Sequence, residues 1–463
     1  MKTIYKKPLP LVLPLIVIGM VVLNVGMFWG EEGQKHKNDI NPIPGISSEQ
    51  KFVDLSITSN KEGLHLFWLN KELGLNYQKS TDGGTTWSNP FLISEYGHYN
   101  IKIVATEDEI FAFWPMGGIS YRILRDGNWS PIFTVKPSPP GGTDFYSVGV
   151  DSEGTLHLFS SAFHGKGEIY YQSKLKGEPN WAEPVELTEG SEIPPDPPES
   201  TMINPPDFTS FVADRSLFLV WNSFCQFPVP INKHSKKFEI ESSHFFRYSN
   251  DTGKTWSEIS KIEITINDIP DAPNIYTPYF IKDIIASEPN IYFIVASDSG
   301  SDVNPFWGPL IGDDLYLLTS NDMGKNWNQP TRLVNNNLQA GSSLFPATLS
   351  LDFSGKVYAS WIDNRHKGTK WWARLYFMGL VRPDGKTNPL DANNDIYIGR
   401  FTGTNLENEV RLTPESSYAN LVNTIIYDDK LYVFWTGKRK VGNTLEEHGF
   451  PYEIFFSVVE IDE

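Results

Sequence analysis

Two arginines stand at matching points of a repeating sequence: Arg365 lies four residues after Trp361, and Arg439 four residues after Trp435. Glu72 holds the same place after Trp68, and Asp363 and Lys438 flank the arginines. A guanidinium is a planar fork that grips a carboxylate or sulfate through two parallel hydrogen bonds, and a carboxylate beside it can move a proton. The same residues also suit a solvated network of ion pairs joining one repeat to the next. Trp307, Trp371 and Trp372 fall in long segments between apolar runs, where a ring either stacks on a sugar, docks a protein or packs into the loop itself. Two oxygen-rich strings, Asp298 to Asn304 and Asp391 to Asp395, have a spacing that suits calcium but lack a full ligand set, so they read as surface turns and no metal or other cofactor is expected. No phosphate loop, zinc signature or Gly-x-Ser-x-Gly elbow is present.

The elements that must position these groups follow from the repeat. Three segments share Ser-x-Asp-x-Gly-x-(Thr or Asn)-Trp: Ser80, Asp82, Gly84 and Trp87; Ser249, Asp251, Gly253 and Trp256; Ser320, Asp322, Gly324 and Trp327. In a tight turn the Asp accepts backbone N–H bonds, the Gly supplies positive φ, and the Trp lays a large ring into the adjoining core. Degenerate copies end at Trp129 and Trp181. Upstream of each turn runs an apolar stretch, seven in all, such as LHLFW ending at Trp68 and LYVFW ending at Trp435, with a further strand-like stretch before it. The pattern predicts four strands per unit, here a to d, with the Asp turn between c and d. Four-stranded units repeated radially make a β-propeller. Seven blades are expected, with six as the alternative. The last unit ends without a d strand, and the stretch from Asn41 to Ser47 resembles the other d strands, so it is expected to close the ring as an outer edge strand, where Pro42 and Pro44 are tolerated. His65 and His157, alternating with apolar neighbours in strand b, are expected to pack within blades.

Composition sets the outer bounds. A chain of 463 residues with 14% aromatics, 36 Gly and 33 Pro favours many short strands and tight turns. The formal net charge of −17 excludes a general electrostatic grip on nucleic acid. Cys225 is the sole cysteine, so no intramolecular disulfide forms, and the side chain reads as a small buried apolar group. Lys2, Lys6 and Lys7 precede an apolar run from Leu9 to Trp29, followed by Glu31 and Glu32. A run of about 20 residues crosses a bilayer as a helix, and lysines before it place the N-terminus in the cytoplasm. The expected organisation is a cytoplasmic tip and signal-anchor over 1–30, a tether over 31–40, and a propeller over 41–463 outside the cytoplasm. Cleavage of the run as a signal peptide and secretion is the alternative.

The repeated turn resembles the Asp-box of the sialidase and BNR-repeat superfamily, over roughly residues 41 to 463. The resemblance implies a propeller with the boxes, and so Asp82, Asp251 and Asp322, in structural roles on the face away from any active site. Sialidases share a Phe/Tyr-Arg-Ile-Pro segment, three substrate-binding arginines, an Asp acid/base and a Tyr/Glu pair; this set is not found, and Arg122 sits in a c strand running into a degenerate box. The long b-to-c and d-to-a connections fall on the opposite face, mostly in the second half of the ring. Three functions stay open: recognition of a glycan or anionic surface ligand through Asp363, Arg365, Arg439, Lys438, Glu72, Trp371, Trp372 and Trp307; a divergent, exo-sialidase-like glycoside hydrolase; and a protein-interaction scaffold of the cell envelope.

Overall fold

A strand buried on both faces is apolar at most positions, and the b strands follow this rule. In Gly63–Asn70 all eight residues are buried. Leu64, Leu66 and Trp68 face one way, into a core with Tyr432, Phe434 and Phe456 of the last unit. Phe67 and Leu69 face the other way, into a core with Ile110, Ala112 and Trp114 of the next unit. Burial of each such side chain contributes about 1.5 to 3 kcal/mol.

The computed structural model describes residues 40–461 apart from 47–51, 71–73, 96–99, 137–144, 162–167, 190–201, 204–207, 233–234, 263–278, 299–302, 305–307, 310–312, 334–346, 353, 364–394, 403–404, 414–418, 420 and 438–452. For Val53, 202–203, 223–232, 235–242, 279–280, 297–298, 303–304, 308–309, 313–314, 363, 402 and 405 it describes the backbone alone. The apolar run of 9–29 and the tether lie outside the described residues, and no described helix is long and apolar enough to cross a membrane.

Seven antiparallel sheets form seven blades, each built on a path of four strands from a to d. Blade 1 comprises Phe52–Asn60, Gly63–Asn70, Leu75–Ser80 and Phe91–Ser94. The inner strand of every blade packs against the inner strands of both neighbours, so the ring closes. Seven hydrophobic clusters lie one in each gap between adjacent blades, including the gap between the seventh and the first. The outer strand of blade 7 comes from the beginning of the chain: Asn41 and Pro42 pair with Phe456 and Phe455, and Ile43 N donates to Ile454 O at 2.9 Å. Ile43 is buried in the gap between blades 7 and 1.

Each Ser-x-Asp-x-Gly turn is closed by the same bonds. In blade 4, Ser249 Oγ donates to Asp251 Oδ1 at 2.8 Å, Gly253 N to Ser249 Oγ at 2.9 Å, Thr255 N to Asp251 Oδ1 at 2.8 Å and Thr255 Oγ1 to Asp251 Oδ2 at 2.6 Å. Those donors, Thr255 first, push the Asp251 carboxyl down to about 2. Asp82 and Asp322 are held low in the same way, by Thr86 and by Asn326. The turn also locks blades together, because each Trp packs edge-on to aromatic rings of the preceding blade. Trp87 meets Phe434 and Phe456, Trp256 meets Phe159 and Tyr171, and Trp327 meets Phe246. Trp129 and Trp181, in the degenerate copies, do the same with Phe67 and Tyr77 and with Phe113 and Tyr121.

One segment departs from the sequence reading. The b-to-c connection of blade 4 is not a loop but a hairpin that extends both strands, Ser216–Asn232 pairing with Ser235–Ser249, with Met202–Ile203 on its edge. Alternation of prolines and polar residues after Asn222 hides the strand, since Pro228 and Pro230 weaken any strand signal. The side chain of Cys225 lies outside the described residues, although its backbone pairs with Glu241.

Candidate functional site

The two ends of the ring are unlike. At the end bearing the Asp turns, the a-to-b connections are tight, such as Lys61–Glu62 and Asp428–Asp429. The other end carries the long b-to-c and d-to-a connections, among them 364–394, 438–452 and 263–278. Arg365, Trp371, Trp372, Lys438, Arg439, Glu72 and Trp307 all lie outside the described residues. Of Asp363 the backbone is described: it ends strand b of blade 6 and pairs with Asp395. Asp395 itself corrects the reading of 391–395 as a surface turn, for it opens a strand, is fully buried, and accepts from Arg411 Nη2 at 2.7 Å and Thr413 Oγ1 at 3.3 Å.

The inner strands carry two buried carboxylates. Asp54 of blade 1 and Asp283 of blade 5 each sit at a register shift of strand a. Asp54 Oδ1 accepts from Leu55 N at 2.9 Å and its Oδ2 from Ile101 N, in blade 2, at 2.7 Å. Asp283 repeats the device, accepting from Ile284 N at 2.9 Å and from Leu349 N, in blade 6, at 2.8 Å. A bulge aims the extra side chain along the sheet edge, here at the next blade's free N–H. Burial raises both carboxyls, Asp283 to about 6, while the N–H bonds and the Lys102 ammonium of blade 2 pull them back. Tyr146 of blade 3, whose hydroxyl donates to Asn100 O at 2.8 Å, is raised by burial and by the Asp54 charge. Blades 1, 2, 3 and 5 thus contribute to one electrostatic neighbourhood. Strand-a bulges leave little trace in sequence, and these carboxylates are not among the residues the spacing singles out.

Arg122 is engaged in the fold. Its Nε donates to Ser130 O at 2.6 Å and its Nη1 to Ile93 O at 2.8 Å, in the outer strand of blade 1. Arg247 does the same in blade 4, with Ser257 O at 2.7 Å and Leu187 O at 2.8 Å. Gln78 reaches Ser88 O at 2.7 Å and Pro44 O at 3.0 Å, and Gln172 reaches Ala182 O at 2.9 Å. The first acceptor in each case is the residue after the turn Trp. In three of the four, Gln78, Gln172 and Arg247, the clip stands nine residues before that Trp, a spacing that would have revealed them; Arg122, in the shortened turn of blade 2, stands seven before.

The two strand-b histidines are fully buried. His65 Nδ1 lies 2.8 Å from Tyr77 Oη and its Nε2 2.9 Å from Asn60 Oδ1. In blade 3 an Asp replaces the Asn: His157 Nε2 lies 3.1 Å from Asp151 Oδ2, and Nδ1 2.9 Å from Tyr171 Oη, which donates to Thr252 O at 3.2 Å. Burial lowers His157 while Asp151 opposes it. Burial, helped by Lys79 and opposed by Glu62, pushes His65 down to about 3. Unfolded, the ring takes a proton near pH 6.5; folded, it does not until about pH 3. The unfolded chain therefore binds more protons in that window, and His65 contributes stability that is complete above pH 6.5 and lost as pH falls, by about 1.4 kcal/mol per pH unit. Asp283, with a raised folded value, acts in the opposite sense between 3.8 and about 6. The difference between the parent and His65→Gln isolates the histidine: the parent's stability advantage should shrink by roughly 2 to 3 kcal/mol from pH 7 to pH 4.5 in denaturant titrations. A difference independent of pH would show that folding leaves the proton affinity of His65 unchanged.

No protein-family model and no curated protein sequence matches the chain. Solved structures match by fold. The polysaccharide lyase Uly1 aligns over 88% of this chain and 90% of its own, at 12% identity and a TM-score of 0.51. Penicillium chrysogenum α-L-arabinanase complexed with arabinobiose aligns over 91% and 97%, at 12% identity and 0.42. Trypanosoma rangeli sialidase, in complex with the inhibitor DANA, aligns over 88% of this chain but 55% of its own, at 12% identity and 0.39. The chain is a seven-bladed β-propeller, a fold it shares with the polysaccharide lyase Uly1.

Proposed function

We propose that this chain is a membrane-anchored, extracytoplasmic propeller that binds a glycan or an anionic surface ligand at the end of the ring opposite the Asp turns. The observation that carries this reading is the asymmetry of the two ends. Many polar side chains at the turn end close turns and clip blades, whereas the segments that follow chain order to the other end are longer and, in this reading, present Arg365, Lys438, Arg439, Glu72, Trp307, Trp371 and Trp372 beside Asp363 at the end of its strand. Connections of that length on a rigid scaffold are where binding residues concentrate. The arginines of adjacent blades 6 and 7 are the proposed anion fork, and the tryptophans the stacking surface. The run of 9–29 is the proposed anchor.

The test is titration of the parent, Arg365→Ala and Arg439→Ala with acidic and neutral polysaccharide fragments at two salt concentrations. Each substitution should weaken an acidic ligand by about 1.5 to 3 kcal/mol, the range for hydrogen bonds to a charged group. Lysine should restore only part of the loss, because it lacks the planar fork. Equal affinities for all three proteins would remove the arginines from the site. A second reading, glycoside cleavage, draws support from Asp283, an inner-strand carboxyl that burial raises to about 6 and that so holds a proton closer to neutrality than an ordinary Asp. Hydrolysis by the parent that survives Asp283→Asn would discard that role.

A further inference from the structure

Among the described residues, the exposed apolar side chains of the outer strands lie on one side of the ring. Phe91 and Leu92 in the d strand of blade 1 are 46% and 47% exposed, Ile132 and Phe133 beside and in that of blade 2 are 45% and 41%, and Val185 in that of blade 3 is 53%. Ile40, where the described chain enters the outer strand of blade 7, is 40% exposed. The d strands of blades 4 and 6 present Lys261, Asn408 and Glu409 at their exposed positions, and blade 5 presents Thr331 and Arg332 half-buried. Rims of the second kind show that a blade of this ring needs no exposed apolar residue on strand d. The three apolar rims are moreover consecutive around the ring, blades 1, 2 and 3, and Ile40 leads into the outer strand of blade 7 beside them.

We propose that this rim rests on a lipid bilayer, in the headgroup region of the same membrane that the run from Leu9 to Trp29 crosses. The inference rests on the anchor reading given above and adds to it the face that meets lipid. Three observations select lipid over another occupant. First, the tether of residues 30–39 reaches at most about 36 Å when fully extended, so whatever holds Trp29 holds Ile40 nearby. The entry point is continuous with the apolar rim: Pro44 O accepts from Gln78 of blade 1, and a Cβ on Gly45 would lie 3.3 Å from Pro90, the residue before Phe91. Second, strand addition by a second copy is disfavoured. The d strands of blades 1 to 3 are two to four residues long and each follows shortly after a proline, Pro90, Pro131 or Pro184, which removes an N–H and blunts the edge. Third, the net charge of −17 argues against anionic headgroups and for a zwitterionic surface, where Phe, Leu and Ile insert for apolar rather than charge reasons. A few half-exposed side chains suffice, because the anchor already supplies a high effective concentration of bilayer.

The full chain reconstituted in phosphatidylcholine liposomes tests this. Leu92→Cys, Phe133→Cys and Val185→Cys, each labelled with a polarity-sensitive fluorophore, are compared with Asn408→Cys on the polar rim, and the parent, carrying Cys225 alone, gives the background. Labels at 92, 133 and 185 should emit at shorter wavelength than the label at 408 and be quenched several-fold more by nitroxide-bearing lipid. Water-like emission and equal quenching at all four positions would overturn the proposal while leaving the anchor intact, provided the chain floats with the liposomes and resists carbonate extraction. Failure to float would remove the anchor reading and the rim proposal with it. Labels shielded from water but not quenched from the lipid, together with a cross-linked dimer, would assign the rim to a second copy instead.

Discussion

Deleting residues 1–46 should destabilise the propeller by about 4 to 7 kcal/mol relative to deleting 1–39, with a matching fall in the denaturation midpoint. The estimate adds the loss of the buried Ile43 side chain, about 2 to 5 kcal/mol, to two lost hydrogen bonds at about 1 kcal/mol each. Those bonds are Ile43 N to Ile454 O and Gln78 Nε2 to Pro44 O. The effect exceeds that of an ordinary terminal truncation because Ile43 belongs to the core between the last blade and the first, so its loss opens the ring where the chain's two ends meet. Identical unfolding curves for the two truncations would mean that strand c of blade 7, Glu453–Glu460, needs no outer partner.

Gly324→Ala should cost about 2 to 5 kcal/mol, and Gly127→Ala no more than about 2. Both glycines have positive φ, +78° and +73°, so both variants bear the left-handed backbone penalty of about 1 to 2 kcal/mol. Only the first also meets a neighbour: a Cβ at Gly324 would lie 2.3 Å from Cε1 of Phe246, in the preceding blade, whereas nothing stands within 4 Å of one at Gly127. Displacing Phe246 disturbs its edge-on contact with Trp327 as well. The same close approach recurs at Gly253 against Tyr171 and at Gly84 against Phe456. Guanidinium titration of the two variants reads the difference directly, and equal losses would reduce these glycines to turn formers with no part in joining blades.

The candidate site was legible to a lesser degree than the fold. Arg365 and Arg439 lie outside the described residues, and of Asp363 only the backbone at the end of its strand is described. The inner-strand carboxylates were not legible. Asp54 and Asp283 look like isolated acids in apolar strands until their bulges and the N–H groups of the next blade are in view.

By itself the sequence determined the repeat, the four strands of each unit, the closing segment and the burial of His65 and His157, and left seven blades against six for the assembled ring to decide. These are local matters: a turn is specified by residues within one hydrogen-bonded loop, and a doubly buried strand by its own unbroken apolar run. Tertiary structure alone decided which groups meet across the gaps between blades. Gln78, Arg122 and Arg247 read as ordinary polar residues of a c strand, yet each bridges its own outer strand to that of the preceding blade. The apolar residues on strands d of blades 1 to 3 read like those of any edge strand, and only the assembled ring sets them beside the point where the N-terminal segment enters. The physical reason is that a propeller buries its surface between units far apart in sequence, so the partner of each side chain is fixed by ring geometry rather than by its neighbours along the chain.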